Sequence, residues 1–144
     1  MIEITPLQPS DRYEWERLAR GYKAFYRTEL PDADYERSWQ ALLAGEHVHG
    51  LGARLDGKLA GIAHYLFHAQ TWWPDCCYLQ DLFTAEEARG QGVATALIDA
   101  VAEEARKRGA AKFYWLTKQD NHRARALYDR IAQWKGFLRY DYEL

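Results

Sequence analysis

The chain has 144 residues, of which 48% are hydrophobic and 15% are aromatic, and its formal net charge is -2. That length suits one domain with its own core, so we expect a single domain spanning residues 1–144. With 19 basic and 21 acidic residues, the chain lacks the basic excess that is typical of nucleic-acid-binding proteins, and no nucleic-acid partner is expected.

The first third of the chain predicts one strand and two helices. Apolar and polar residues alternate over Ile2–Leu7, which indicates a strand, while helical spacing of apolar residues indicates helices over Tyr13–Phe25 and Ala33–Leu43. Acidic residues gather before and within the second helix, namely Glu29, Asp32, Asp34 and Glu36. They could attract a cationic substrate, or they could simply favour the helix N-terminus.

The middle of the chain predicts a hairpin. Strands over Val48–Leu55 and Leu59–Phe67 flank Asp56-Gly57, a pair of residues that is typical of a tight turn. The loop that follows carries Trp72 and Trp73, which could wall a substrate pocket or lie at a dimer contact. Two histidines of the second strand, His64 and His68, are interpreted as packing or surface residues, although either could act as a base.

A glycine-rich turn separates the next strand from the longest helix. Arg89-Gly90-Gln91-Gly92-Val93-Ala94 follows a strand predicted over Cys76–Thr84, and apolar residues four apart continue a helix to Arg108. The first turn of a helix leaves backbone N–H groups free and carries partial positive charge. Glycine lets a bulky anion approach that backbone closely. The pattern therefore predicts a phosphate or pyrophosphate site, or else an ordinary sharp turn.

The last third predicts a strand over Lys112–Thr117, a helix over Asn121–Ile131 and a final strand over Phe137–Leu144. A strand, a helix and a second strand around the glycine turn imply a parallel pair with a right-handed crossover. The fold class is therefore α/β.

The cysteines and the hydropathy of the chain limit the cellular compartment and the cofactors that we expect. Cys76 and Cys77 are adjacent, and neighbouring side chains on a strand point to opposite faces, so a bond between them would be strained. A reducing cytoplasm is the compartment we expect. No Cys/His spacing typical of a metal site occurs, so no metal is expected. No membrane partner is expected, because no apolar run has the length of a span and no secretory signal opens the chain.

Three motifs together carry a family resemblance. Arg89–Ala94 fits the pattern Arg/Gln-x-x-Gly-x-Gly/Ala, Asn121–Tyr128 fits Asn-x-x-Ala-x-x-Leu/Phe-Tyr, and Gly136-Phe137 precedes the last predicted strand. In this order, over essentially the whole chain, they resemble the GNAT superfamily of N-acetyltransferases. The resemblance implies a mixed, mostly antiparallel sheet with a splayed parallel pair of strands and about four flanking helices. It also implies a homodimer.

The resemblance further implies an acetyl-CoA-dependent transfer of an acetyl group to a primary amine, with direct attack of the amine on the thioester. The implied residues that bind acetyl-CoA are Leu82, Phe83, Thr84, Arg89, Gly90, Gln91, Gly92, Val93, Ala94, Thr95, Asn121 and Tyr128. The implied catalytic groups are the Leu82 N–H, which would polarise the thioester carbonyl, and the Tyr128 phenol, which would protonate the departing thiolate. Without the resemblance, Tyr128 could be a core residue and Asn121 a simple helix N-cap.

The residues alone leave the identity of the general base open. Tyr78-Leu79-Gln80-Asp81 resembles the Tyr-Leu-Glu-Asp of the polyamine-type and histone-type branch, which implies a polyamine-like or lysine acceptor. Gln80 stands where that branch carries Glu, and an amide cannot take a proton. Asp81 is then the nearest acid on the strand, unless it is only a solvated or capping carboxylate. Gln80 also leaves open a non-catalytic module that binds acyl-CoA or a protein.

Overall fold

Five strands in chain order form one sheet at the centre of the structure, a computed structural model that describes residues 1–144. The strands are β1 (Ile2–Pro6), β2 (His49–Leu55), β3 (Lys58–His68), β4 (Cys76–Thr84) and β5 (Lys112–Trp115). The first three pairings are antiparallel, and β4 pairs with β5 in parallel. The predicted mixed, mostly antiparallel sheet with one parallel pair is therefore confirmed.

Four helices flank the sheet: α1 (Arg12–Phe25), α2 (Asp32–Ala44), α3 (Val93–Arg108) and α4 (His122–Ile131). They cover both of its faces. On β3, a Cβ placed at Gly61 would lie 2.6 Å from Val93 of α3, whereas His64 bonds to Trp15 of α1. Because side chains three residues apart on a strand point to opposite faces, α1 and α3 lie on opposite sides of the sheet.

One cluster of 22 buried residues forms the core between these layers. α1 contributes Trp15 and Leu18, and α3 contributes Leu97 and Val101, each at most 1% exposed. These positions recur three or four residues apart, so each helix buries a single apolar stripe. The stripes fix both helices against β3 and β4, and those two strands carry the functional groups described below.

The predicted strand over Phe137–Leu144 is wrong. Residues 132–144 form no helix or strand, and their large apolar side chains are at least 68% exposed, namely Trp134, Phe137, Leu138, Tyr140, Tyr142 and Leu144. The alternation in this segment is typical of a strand, but a strand also requires a neighbour to pair with. β5 ends the sheet with its outer edge unpaired, so within one chain the segment and this edge remain apart.

Candidate active site

The parallel pair β4–β5 opens part-way along its length. Cys76–Leu79 pairs with Lys112–Trp115, and β4 then continues to Thr84 with β3 as its only neighbour. β5 is accordingly two residues shorter than the predicted Lys112–Thr117. Leu82, Phe83 and Thr84 lie on the open part of β4, where backbone groups on the β5 side have no strand partner. Such groups can accept an extended ligand as a substitute strand.

The glycine turn carries the free donors that its sequence predicts. Gly90 and Gly92 have φ angles of +78° and +85°, which favour glycine. The backbone N–H groups of residues 90–95 donate to no backbone carbonyl, and the first helical bond runs from the Ala96 N–H to the Gly92 carbonyl at 3.0 Å. α3 has no acid in its first turn and three basic residues in its last. The field at this helix start thus favours an anion.

Space around the turn is open. A Cβ built on Gly90 would meet nothing within 4 Å, and one built on Gly92 would meet only Ile2, at 3.9 Å. Arg89 and Gln91 are exposed beside them, while Val93 is buried and anchors the helix to the core. Ala94 and Thr95 complete the first turn at intermediate exposure. The backbone at this point can therefore be approached closely from solvent.

Tyr128 lies where β4 and β5 separate. Its ring packs edge-on against Trp115 with 5.3 Å between centroids, and Leu79 and Leu82 line the same small cavity. Burial, with a smaller contribution from the nearby Tyr26, raises the pKa of Tyr128 to about 12. The phenol is therefore protonated at neutral pH and can act as a hydrogen-bond donor inside this cavity.

Asn121 stands at the start of α4 without a side-chain capping bond. Its side-chain amide instead donates to the Thr117 hydroxyl at 3.1 Å. That bond leaves the side-chain Oδ1 of Asn121 without a partner in the chain. Asn121 therefore occupies the N-cap position without capping the helix through its side chain, and its free Oδ1 can accept a bond from a ligand amide.

Asp81 is held in a buried network that the sequence did not reveal. A bulge makes Gln80 an extra residue on β4, since His64 pairs with Asp81 while the next residue of β3, Tyr65, pairs with Leu79. His64 Nδ1 lies 2.9 Å from Asp81 Oδ2, and Trp15 Nε1 lies 2.9 Å from His64 Nε2. The interpretation of His64 as a packing or surface residue therefore missed its hydrogen-bond partners. The sequence alone does not show the bulge that brings His64 opposite Asp81.

The charge of Asp81 is stabilised by its neighbours. Burial works to raise its pKa, but His64, the charge of Lys23 and the hydroxyl of Tyr22 outweigh it, so that the pKa lies below its usual value. Burial, and then the Asp81 charge, raise the pKa of Tyr22. At neutral pH the carboxylate is therefore ionised and accepts hydrogen bonds.

The acids of α2 are already paired. Asp32 bonds to Arg20 at 2.6 Å, Asp34 to Arg37 at 2.7 Å and Glu36 to Arg12 at 3.1 Å. Two of the three lie in the first turn of the helix. Because each acid is already paired with an arginine, the geometry favours acids that stabilise the helix N-terminus over a site for a cationic substrate.

Side chains at the other end of the sheet form a separate aromatic group. His68 Nε2 lies 2.8 Å from the Tyr114 hydroxyl, a contact that fits the interpretation of His68 as a packing or surface residue. Trp72 and Trp73 are 80% and 55% exposed, and Lys112 lies over the Trp73 ring at 4.2 Å. Neither tryptophan lines the cavity beside Tyr128.

Two further properties describe the whole chain. No group of three or more His, Cys, Asp or Glu side chains converges as metal ligands would. No helix has both the length and the apolar character needed to cross a membrane.

Comparison with known proteins decides the family. The sequence profile of the acetyltransferase (GNAT) family matches residues 15–132, which includes α1, β4, the glycine turn and α4. The chain belongs to the GNAT acetyltransferase family. The resemblance carried by the motifs is thereby confirmed, and the chain is an N-acetyltransferase.

Named relatives are N-acetyltransferases that act on amino groups. A D-amino-acid N-acetyltransferase of Saccharomyces cerevisiae is 32% identical over 91% of this chain and 84% of its own length. A thialysine N-epsilon-acetyltransferase of Mus musculus is 27% identical over 90% of this chain and 79% of its own. These relatives are consistent with the polyamine-type branch.

Solved structures share the fold. A ribosomal-protein-alanine N-acetyltransferase from Brucella melitensis superposes with a TM-score of 0.83 at 25% identity, and the match covers 100% of both chains. An aminoglycoside N-acetyltransferase, solved in complex with CoA, gives a TM-score of 0.87 at 18% identity over 99% of this chain and 95% of its own. The splayed sheet with its four helices is therefore the GNAT fold.

Proposed function

We propose that the protein uses acetyl-CoA to acetylate a primary amine borne by a small polyamine-like molecule or by lysine. The observation that carries this proposal is the juxtaposition of two features on β4. The strand leads towards the glycine turn with its free backbone donors, and just after the bulge it carries the partly buried, ionised carboxylate of Asp81. The first feature suits the diphosphate of CoA, and the second suits an amine that must lose a proton.

The cofactor-binding residues fit CoA. The free N–H groups from Gly90 to Thr95 would hold the diphosphate, with the Arg89 charge beside them. The open backbone of residues 82–84 would pair with the pantetheine arm as a substitute strand. The Asn121 side-chain oxygen would accept a bond from one of its amides. An aminoglycoside N-acetyltransferase of the same fold has been solved with CoA, which supports this assignment.

Transfer requires the amine to lose a proton and the sulfur to leave. A free lysine-type amine has a pKa of about 10.4, so it arrives mostly charged. The ammonium must first release one proton to solvent, because only the neutral amine has a lone pair for attack. Attack on the thioester then makes the nitrogen far more acidic, and the ionised Asp81 can accept its second proton. The Leu82 N–H would polarise the carbonyl, and the protonated Tyr128 would donate to the leaving sulfur. Asp81 supplies the carboxylate that Gln80 lacks, which removes the reason for a non-catalytic module.

A thiol-release screen tests the acceptor class. Free CoA would be measured with acetyl-CoA and a panel of polyamines, lysine peptides, thialysine, D-amino acids and aminoglycosides. We expect the highest kcat/KM with an amine on a flexible aliphatic chain, since Tyr22, Tyr26 and the leucines of β4 line the cavity. Release confined to aminoglycosides, or absent with every amine, would contradict the proposal.

We further propose that the working form is a cytoplasmic homodimer. The segment 132–144 exposes its large apolar side chains and pairs with no strand of its own chain, and the outer edge of β5 also lacks a strand. α4 also has no fully buried residue, although its apolar face includes Tyr128. In a dimer, the segment 132–144 of each copy could pair with the free β5 edge of the other copy. The second copy would also cover the exposed face of α4. The two free, buried cysteines, Cys76 and Cys77, favour a reducing compartment.

Removal of residues 137–144 tests this dimer. We expect the full chain to have twice the monomer mass by light scattering and the truncated chain to be monomeric, because the deleted residues include five large exposed apolar side chains. Replacement of Tyr13, which is 82% exposed on α1, by Ser is the matched control and should leave the dimer intact. A truncated chain that stays dimeric would overturn the assignment of this segment to the interface.

A further inference from the structure

Three side chains form a continuous hydrogen-bonded chain from α1 through β3 to β4. Trp15 is 1% exposed, and the side chains of His64 and Asp81 are 12% and 20% exposed. Both links measure 2.9 Å, a normal length for nitrogen donors. Trp15 also packs on Trp39 with 4.9 Å between ring centroids, which fixes the indole in the core. The far end of the network is therefore rigid.

The direction of the proton in each link follows from chemistry. An indole nitrogen can only donate, so His64 Nε2 must accept the bond from Trp15. In a neutral imidazole the other nitrogen then carries the proton, so His64 Nδ1 donates to Asp81. A proton added at Nε2 would face the Trp15 N–H and break that bond. Trp15 therefore fixes His64 as one neutral tautomer, which donates to the carboxylate.

We propose that Trp15 and His64 are positioning residues that hold the Asp81 carboxylate ready to receive the proton of the attacking amine. This inference rests on the proposed function. As the C–N bond forms, the C–S bond breaks with its electron pair on sulfur, and the N–H proton moves to Asp81. A carboxylate has about four lone-pair sites, and the bond from His64 leaves sites free to accept that proton.

The arrangement provides orientation without adding charge. A protonated histidine would neutralise Asp81 as a salt bridge and weaken it as a base. The tautomer fixed by Trp15 supplies a single hydrogen bond, which fixes the rotation of the carboxylate while leaving its negative charge in place. Proton acceptors act efficiently only when their geometry is fixed, and misplacement by about 1 Å can cost roughly 100-fold in rate.

Nitrogen NMR of the whole protein tests the tautomer directly, without substrate or cofactor. We expect long-range ¹⁵N–¹H correlations of His64 to show a protonated Nδ1 and an unprotonated Nε2. In Trp15→Phe the indole donor is lost, so the spectrum should show a mixture of the two tautomers. An Nε2-protonated or doubly protonated His64 in the wild-type protein would overturn the proposal.

Steady-state kinetics then separate positioning from packing. His64→Asn keeps an N–H near the place of Nδ1 and should retain kcat within about threefold. His64→Leu fills similar space without a donor, and we expect its kcat to fall about tenfold or more while the KM for acetyl-CoA is unchanged. Melting temperatures of both variants are measured alongside. Equal kcat for His64→Leu and the wild type, or equal losses in both variants that follow stability, would overturn the proposal.

One more variant separates this inference from the proposed function. Asp81→Asn should lose most turnover if Asp81 receives the proton. Full activity in Asp81→Asn would defeat the assignment of Asp81 as the base, and with it the positioning role, while the tautomer result stands. Full activity in His64→Leu, together with an inactive Asp81→Asn, would defeat the positioning role alone.

Discussion

Replacing Gly92 by Val is expected to abolish CoA binding measured by calorimetry. Gly92 has a φ of +85° and precedes the first turn of α3, where the N–H groups of residues 90–95 are free. A valine side chain would project from the backbone that the diphosphate must approach, and it would also disfavour this φ. Both effects act on the anion site, so the loss should be complete at any practical concentration.

Gly109→Val is the matched control for this variant. Gly109 ends the same helix with a φ of +77°, and a Cβ there would meet nothing within 4 Å. The backbone strain of the two substitutions should therefore be similar, roughly 1–3 kcal/mol in each. We expect both variants to melt at similarly lowered temperatures, with CoA binding lost only in Gly92→Val. Unchanged binding in Gly92→Val would refute the diphosphate site.

The glycine turn was predictable because its determinants are local. Two glycines, an amphipathic helix and a preceding strand lie within about thirty residues, and each has a conformational preference of its own. The splay of β4 from β5 came from the family resemblance, and the pairing of Cys76–Leu79 with Lys112–Trp115 confirms it. The features that the sequence predicted correctly are therefore those determined by residues close to one another in the chain.

The hydrogen-bonded network around Asp81 could not be predicted, because it depends on the pairing register between β3 and β4. His64 and Asp81 lie 17 positions apart and meet only because Gln80 bulges out of β4. Without that bulge, the pairing of every residue beyond it would shift by one, and the two side chains would point to different faces. Trp15 lies on the buried stripe of α1, but the partner of its N–H lies on another element.

The predicted strand in the C-terminal segment was wrong for a different reason. The alternation over Phe137–Leu144 shows that the segment is competent to form a strand, and such competence is a property of the chain alone. Pairing needs an available edge, and the edge can belong to another molecule. No feature of a single sequence distinguishes these two cases. The exposed apolar side chains of the structure mark where the second molecule is expected.

The general-acid assignment makes the second large prediction. Tyr128→Phe should lower kcat by about 100-fold and leave the affinity for CoA nearly unchanged. Only one oxygen is removed, and Trp115 and Leu82 should pack against phenylalanine as they pack against tyrosine. The measurements are kcat by thiol release and the CoA dissociation constant by calorimetry.

Tyr65→Phe is the matched control. Burial raises the pKa of Tyr65, like that of Tyr128, to about 12, yet Tyr65 lies on β3 beside His49 and Phe67, outside the cavity. Its kcat should stay within about twofold of the wild type, because no reacting group lies near its hydroxyl. Equal kcat in Tyr128→Phe and Tyr65→Phe would remove Tyr128 from the mechanism.

The raised pKa also defines how Tyr128 can act. The phenol, with a pKa of about 12, faces a thiolate whose conjugate acid has a pKa near 8.5, so complete transfer of the proton is unfavourable by roughly 5 kcal/mol. A hydrogen bond to the sulfur as negative charge develops there avoids that cost. Because the raised pKa keeps the phenol protonated until the pH approaches 12, the ratio of wild-type to Tyr128→Phe kcat should stay constant between about pH 6 and 10. A ratio that falls towards one as the pH rises through that window would show that the phenol ionises there, and would overturn the assignment of Tyr128 as a buried donor.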